Sequence, residues 1–211
     1  MGLRSKKSIN RISIALIIIG ILVCLYPLYT NVKAYYLQAQ LEKELNAQIA
    51  AVDQTDTEAA TTESPVVENT APVKVQAPPR KIDAMMFIDI PDINISAVVV
   101  RGTTQASLAD GPGWYVESAL PGKGNTAVAG HKNMYGSWFR NLYKLQAGDP
   151  IYITYKTKVY TYLVETVKPI AINDWSLIEP TEENVLTLTT CHTKTERLAV
   201  RAELEKITDK K

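Results

Sequence analysis

Two cysteines, Cys24 and Cys191, and two histidines, His131 and His192, make up a short inventory of groups able to do covalent chemistry near neutral pH. Of the two thiols, only Cys191 sits in a setting suited to chemistry. It ends the run Val185-Leu186-Thr187-Leu188-Thr189-Thr190, whose β-branched residues predict a strand. Arg197 to Leu204 alternates, with Leu198, Val200, Ala202 and Leu204 on one face, and predicts the returning strand. A hairpin centred near Lys194 puts Cys191 opposite Arg197, and a guanidinium facing a thiol favours the thiolate, the reactive form of cysteine. Set against this, a lone Cys ending an apolar strand is also a common small buried hydrophobe.

A cysteine nucleophile needs a group to protonate the leaving amine and donors for an oxyanion. His131 follows Gly130 at the end of the predicted strand Asn125–Ala129, where it can reach a cleft. His192 is adjacent to Cys191, but neighbouring strand side chains point to opposite faces, so we favour His131. Arg201 shares a face with Arg197 but lies roughly 13 Å further along and reads as a solvated face residue. No Cys/His spacing suits zinc.

The elements that must position these groups follow from the rest of the chain. Its 211 residues carry a formal charge of +1, which gives no case for nucleic acid. Arg4, Lys6, Lys7 and Arg11 form a basic start and leave about −3 for the remainder. Ile12–Tyr29 has no charge over 18 residues, near the minimum for a spanning helix. Its basic flank predicts a cytoplasmic amino end with the rest outside, and Pro27 is expected to end or kink the helix near its exit. A cleaved signal peptide is the other reading, but Val32-Lys33-Ala34 is a poor cleavage site. Val32 to Ala50 has helical spacing and reads as a short stalk. Val52–Pro79 lacks period and reads as a disordered spacer.

From Ile82 onward about 130 residues suffice for one core. Strands are expected at Met86–Ile90, Ile93–Val100, Asn125–Ala129, Ile151–Tyr155 and Val159–Val167, with a helical turn at Ser107–Tyr115, a short helix at Ser137–Leu145 and a long loop at Pro169–Asn184. Short strands at turn-punctuated spacing predict an all-β barrel or sandwich. The expected division is a basic tail over 1–11, a transmembrane anchor over 12–29, stalk and spacer over 30–80 and a catalytic domain over 81–211.

Three blocks in order resemble the sortases of Gram-positive bacteria. Leu188-Thr189-Thr190-Cys191 resembles the family's Leu-x-Thr-Cys signature. Ala129-Gly130-His131 with Gly136, Phe139, Leu142, Leu145, Gly148 and Asp149 resembles the block around its histidine. Arg197-Leu198-Ala199-Val200 resembles the strand carrying its arginine. The resemblance implies a closed eight-stranded β-barrel with short helices. It also implies a membrane-anchored transpeptidase that cuts a Leu-Pro-x-Thr-Gly-like sorting signal between Thr and Gly. Cys191 would form the thioester, His131 would exchange the proton and Arg197 would hold the oxyanion. The implied partners are surface proteins carrying that signal and an amine acceptor, a peptidoglycan precursor or a pilin lysine. Thr190, Trp175, Leu177 and Ile178 are expected at the substrate. Calcium at Glu179, Glu182 and Glu183, seen in some family members, is less expected than a solvated acidic loop, and no metal or other cofactor is assigned. The Gly113-Trp114-Tyr115 to Leu120-Pro121-Gly122 run looks most like classes D or E. A peptidase that releases to water and a scaffold with an inert Cys191 are the alternative readings.

Overall fold

The structure, a computed structural model, describes residues 3–53 and 82–210; most of the expected spacer lies outside these. Eight strands form a closed barrel in the spatial order β1-β2-β3-β4-β7-β8-β6-β5. The strands are β1 (Ala84–Ile90), β2 (Ile95–Arg101), β3 (Gly113–Trp114), β4 (Asn125–Ala129), β5 (Pro150–Tyr155), β6 (Lys158–Ala171), β7 (Val185–Cys191) and β8 (Glu196–Asp209). Among the described residues there are two α-helices, α1 (Leu3–Asp53) before the barrel and α2 (Gln105–Asp110) between β2 and β3.

Alternation of buried and half-buried residues along β1 sends Met86, Ile88 and Ile90 inward. They meet Ile151 and Ile153 of β5, Leu186 and Leu188 of β7 and Val200 of β8 in one core. β4 and β7 run parallel, from Asn125↔Val185 to Ala129↔Thr189. Both are buried along nearly their whole length, as parallel strands covered on two faces must be. The covering cluster outside includes Tyr115, Ala127 and Ala129, with Leu108 and Ile178 packed against it.

Three sequence expectations are corrected. Ser137–Leu145 is a chain of turns with a short 3-10 stretch at Leu142–Lys144 rather than a helix. Tyr135, Gly136 and Ser137 all have positive φ, which no right-handed helix tolerates, and the Phe139 N–H donates to the His131 carbonyl instead. β6 continues through Pro169 to Ala171, which shortens the expected loop. Beyond Leu163 it has only β8 as a neighbour, so a proline without an N–H is accommodated on the free edge. Pro27 does not end α1, which runs unbroken past it. The Thr30 hydroxyl donates to the Pro27 carbonyl at 2.9 Å.

The residues expected as a stalk are built into the barrel. Leu41 and Leu45 of α1 are buried against Ala84, Val98 and Val100. β2 pairs with β3 only at Val100 and Arg101, which leaves its edge open at Val98. The Gln38 side chain closes that edge as a strand would: its Oε1 accepts the Val98 N–H at 2.6 Å and its Nε2 donates to the Val98 carbonyl at 3.1 Å. Nε2 also donates to the Asp110 carbonyl at 2.9 Å. Buried main-chain groups left without partners cost about 1–3 kcal/mol each. Gln38→Ala is therefore expected to destabilise the fold by at least about 1–3 kcal/mol, read as a lowered melting temperature of the full chain in detergent micelles. An unchanged melt would mean that the Gln38 bonds to β2 do not contribute to the barrel's stability.

Candidate active site

The parallel pairing of β4 with β7 decides where the chemistry-bearing residues meet. Ala129 and Thr189 are partners, so two residues further on His131 and Cys191 emerge at the same rim. The β7–β8 hairpin then sets Cys191 directly opposite Arg197, as its sequence predicts. All three line one cleft of about 200 Å3, with Thr103, Tyr115 and Trp175 among its other walls. A larger cavity of about 470 Å3 lies between α1 and the 136–141 turns, but no thiol, histidine or carboxylate lines it. The smaller cleft is therefore the candidate site.

Hydrogen bonds hold the strand ends together beneath the rim. The Gly130 N–H donates to the Thr189 carbonyl at 3.0 Å, and the Thr190 hydroxyl donates to the Gly130 carbonyl at 2.8 Å. The Tyr115 and Thr189 hydroxyls lie 3.3 Å apart. Gly130 is obligatory for packing: a Cβ there would stand 2.6 Å from the Phe139 ring, and that ring is fully buried.

Cys191 is exposed and free of any disulfide, which sets aside the reading of a small hydrophobe packed in the core. His131 is half-buried, with Tyr135 tilted against its ring at 5.4 Å. Burial pushes its pKa below the ordinary 6.5, so the neutral imidazole is favoured in the fold. Its Nε2 is buried and makes no hydrogen bond within the protein.

The depressed pKa fixes the sign of a pH effect. Where a native histidine binds fewer protons than the unfolded chain does, stability falls as pH drops through the unfolded value. Wild type is therefore expected to lose more stability between pH 7.5 and 5.5 than His131→Gln does, in urea titrations at the two pH values. Parallel losses in both proteins would show that His131 does not set this dependence.

Arg197 stacks its guanidinium carbon 4.6 Å from the centre of the Trp175 ring. No ion pair engages it among the described residues, so its charge remains available to the cleft. Trp175 is held in place by the turn around it. The Asp174 carboxylate accepts from the Ser176 N–H at 3.0 Å and hydroxyl at 2.6 Å, bonds that hold its pKa below the usual carboxylate value.

The remaining expected site residues fall in different places. His192 is exposed, outside the cleft, and its N–H is committed to the Glu196 carbonyl. Thr190 lines the cleft but is only 5% exposed, and its hydroxyl serves the strand pair. Ile178 packs against the Tyr115 cluster and is not part of the cleft wall. The Leu177 side chain lies outside the described residues. In the acidic loop Glu183 pairs with Arg201 at 2.6 Å. Arg201 also pairs with Glu165 at 3.1 Å and is 25% exposed, so it is a clamp between strands and loop rather than a freely solvated face residue. Among the described residues no group of His, Cys, Asp and Glu is arranged to hold a metal ion. Tyr115 and Thr189 also line the site; both lie in stretches that carry the family resemblance, but neither is singled out there as a site residue.

A family model of the sortase domain matches residues 88–205, more than half of the chain. The chain belongs to the sortase family. Sortase A of Listeria monocytogenes is 29% identical over 201 residues, covering 92% of this chain and 90% of that protein. A Clostridium perfringens sortase D5 transpeptidase superposes with a TM-score of 0.64 at 25% identity, over 81% of this chain and 99% of the other. Sortase E of Streptomyces avermitilis superposes with a TM-score of 0.57 at 32% identity, over 60% of this chain and 91% of the other. These similar sortases belong to classes A, D and E alike and do not single out class D or E. Each of the three expected motif blocks contributes residues to the cleft, with His131, Cys191 and Arg197 among them, and the family's chemistry is that of a cysteine transpeptidase.

Proposed function

We propose that this sortase cleaves a Leu-Pro-x-Thr-Gly-like sorting signal between Thr and Gly and transfers the threonine acyl group, with the chain that precedes it, to an amine. The observation that carries the reading is the convergence of Cys191, His131 and Arg197 in one cleft. No hydrogen bond joins the imidazole to the thiol, so a bound peptide bond would be the element that connects them.

The Cys191 sulfur attacks the threonine carbonyl carbon while its proton passes to the neutral His131. Charge developing on the carbonyl oxygen is met by Arg197, whose planar fork of donors is spread over Trp175 and which lysine would not reproduce. The His192 N–H is occupied and supplies no oxyanion bond. Collapse breaks the C–N bond, and the proton held by His131 goes to the departing glycine amine. The thioester is then attacked by an acceptor amine, whose proton His131 takes and returns to the cysteine sulfur. The acceptor belongs to a peptidoglycan precursor or a pilin lysine, and the donors are surface proteins bearing the signal.

The proposed placement follows from α1. Its apolar stretch is long enough to cross a membrane, and its large apolar side chains are exposed. Residues 1–11 stay in the cytoplasm, 12–29 span, 30–80 connect and 81–211 act outside. Trp175 of the cleft wall and Leu177, on the loop after β6, are assigned to the Leu-Pro end of the signal, whereas Ile178 packs against the Tyr115 cluster and positions that loop.

The test is the fate of a Leu-Pro-x-Thr-Gly peptide given to the full chain in detergent, with and without triglycine. Ligated product in the presence of triglycine supports transfer. Cleavage that yields only hydrolysed peptide, however much triglycine is present, would instead support a peptidase.

A further inference from the structure

We propose that the rim of the barrel carrying the His131 loop rests in the lipid headgroup layer, so that the active-site cleft opens at the membrane surface. The inference rests on the reading of α1 as the anchor and adds the orientation of the barrel to it.

The argument is one of level along a single helix. α1 rises about 1.5 Å per residue and is continuous from the apolar stretch into the barrel contacts. The uncharged run ends at Val32, before Lys33, and Tyr26 and Tyr29, 64% and 65% exposed, mark the depth at which aromatic side chains favour the interface. At that same level α1 meets the loop after His131. Asn31 Oδ1 accepts the Gly136 N–H at 3.0 Å, and Tyr35 meets Trp138 edge-on at 5.1 Å. Tyr135, whose ring lies against His131, shares a pocket with Tyr26, Tyr29, Thr30 and Lys33. Gly136 is thus only about 3 Å beyond Tyr29 along the helix axis.

The far end of the barrel is tied to α1 much higher. Lys210 Nζ donates to Asn46 Oδ1 at 2.8 Å, fifteen residues after Asn31 and so roughly 22 Å further from the membrane. The barrel lies alongside α1 with its catalytic end toward the bilayer. The Gln38 bonds to β2 and the buried Leu41 and Leu45 keep it there. The low rim presents Lys33, Lys132 and Arg140 together with Met134, which is 47% exposed. Cations and an apolar tip are the chemistry that settles among anionic phosphates and glycerol backbones. Asn31 and the strained Tyr135, at φ 49°, therefore connect the anchor to the catalytic histidine.

The test uses depth-dependent quenching and does not depend on activity. The full chain with Cys24→Ser and Cys191→Ala carries a single new cysteine, Met134→Cys at the low rim or Lys158→Cys at the far end, labelled with bimane. Each protein is placed in phosphatidylcholine–phosphatidylglycerol vesicles that contain a headgroup nitroxide lipid, and flotation is measured alongside. The expected result is flotation of both, with quenching several-fold stronger at position 134 than at 158. Flotation with equal quenching at the two positions, or with none at 134, overturns the seating while leaving the anchor intact. Failure of both proteins to float removes the anchor reading and the seating with it.

Discussion

Cys191→Ala is expected to abolish covalent capture of a sorting peptide and all turnover, with the barrel left intact. Both halves follow from where the residue sits. Its side chain is exposed at the end of β7, fills no core space and makes no hydrogen bond. Surface substitutions of this kind usually stay within about 0.5 kcal/mol of wild type. Its loss to the reaction is total because alanine offers no atom to form the thioester, and removal of a nucleophile from a comparable constellation costs about a million-fold in rate. Circular dichroism and the melting temperature check the first half, and a continuous cleavage assay the second. Turnover that survives in the variant would remove Cys191 from the mechanism.

The second large effect concerns the histidines. His131→Ala is expected to lower kcat/KM by about 100- to 10,000-fold, the range for a positioned acid–base group, whereas His192→Ala changes it little. The contrast is strong because His192 is the sequence neighbour of the nucleophile and His131 lies sixty residues away. Yet His192 turns to solvent beyond the strand end, and only His131 lines the cleft. Parallel assays of the two variants on one peptide decide the matter. A reversed ranking would make His192 the proton carrier and leave the unpartnered Nε2 of His131 without a role.

How much of this was legible in the chain depends on the range of the contacts. The β7–β8 hairpin is local, and its alternation and polar turn predict both strands and the Cys191↔Arg197 register. The choice of His131 also followed from a local argument, the opposed directions of adjacent strand side chains. The union of β4 with β7 has no local signature, since each strand fits many partners, and only the family resemblance pointed to it. Phe139, Leu142 and Leu145 recur at helical spacing because all three reach the core, but the left-handed residues 135–137 force turns there. Gln38 looks like any polar residue of a charged helix. Its role as the cap of an open strand edge depends on β2 and β3 pairing over two residues only, a tertiary fact. Trp175 lines the cleft, and its ring also stacks on Arg197, an interaction between residues whose separation carries no pattern. Pro27 was expected to end or kink the helix, the usual effect of a proline in a helix interior, but the helix continues past it.

The central claim is that Cys191 carries the acyl group, and intact-mass measurement tests it most directly. The full chain in detergent is mixed with a Leu-Pro-x-Thr-Gly peptide, quenched in acid within the first turnovers and weighed, and the adduct is mapped by digestion. The account predicts a mass increase equal to the peptide's acyl fragment, located on Cys191, absent from Cys191→Ala and discharged by triglycine. Peptide cleavage in which no adduct forms, or in which the adduct maps to another residue, would contradict it.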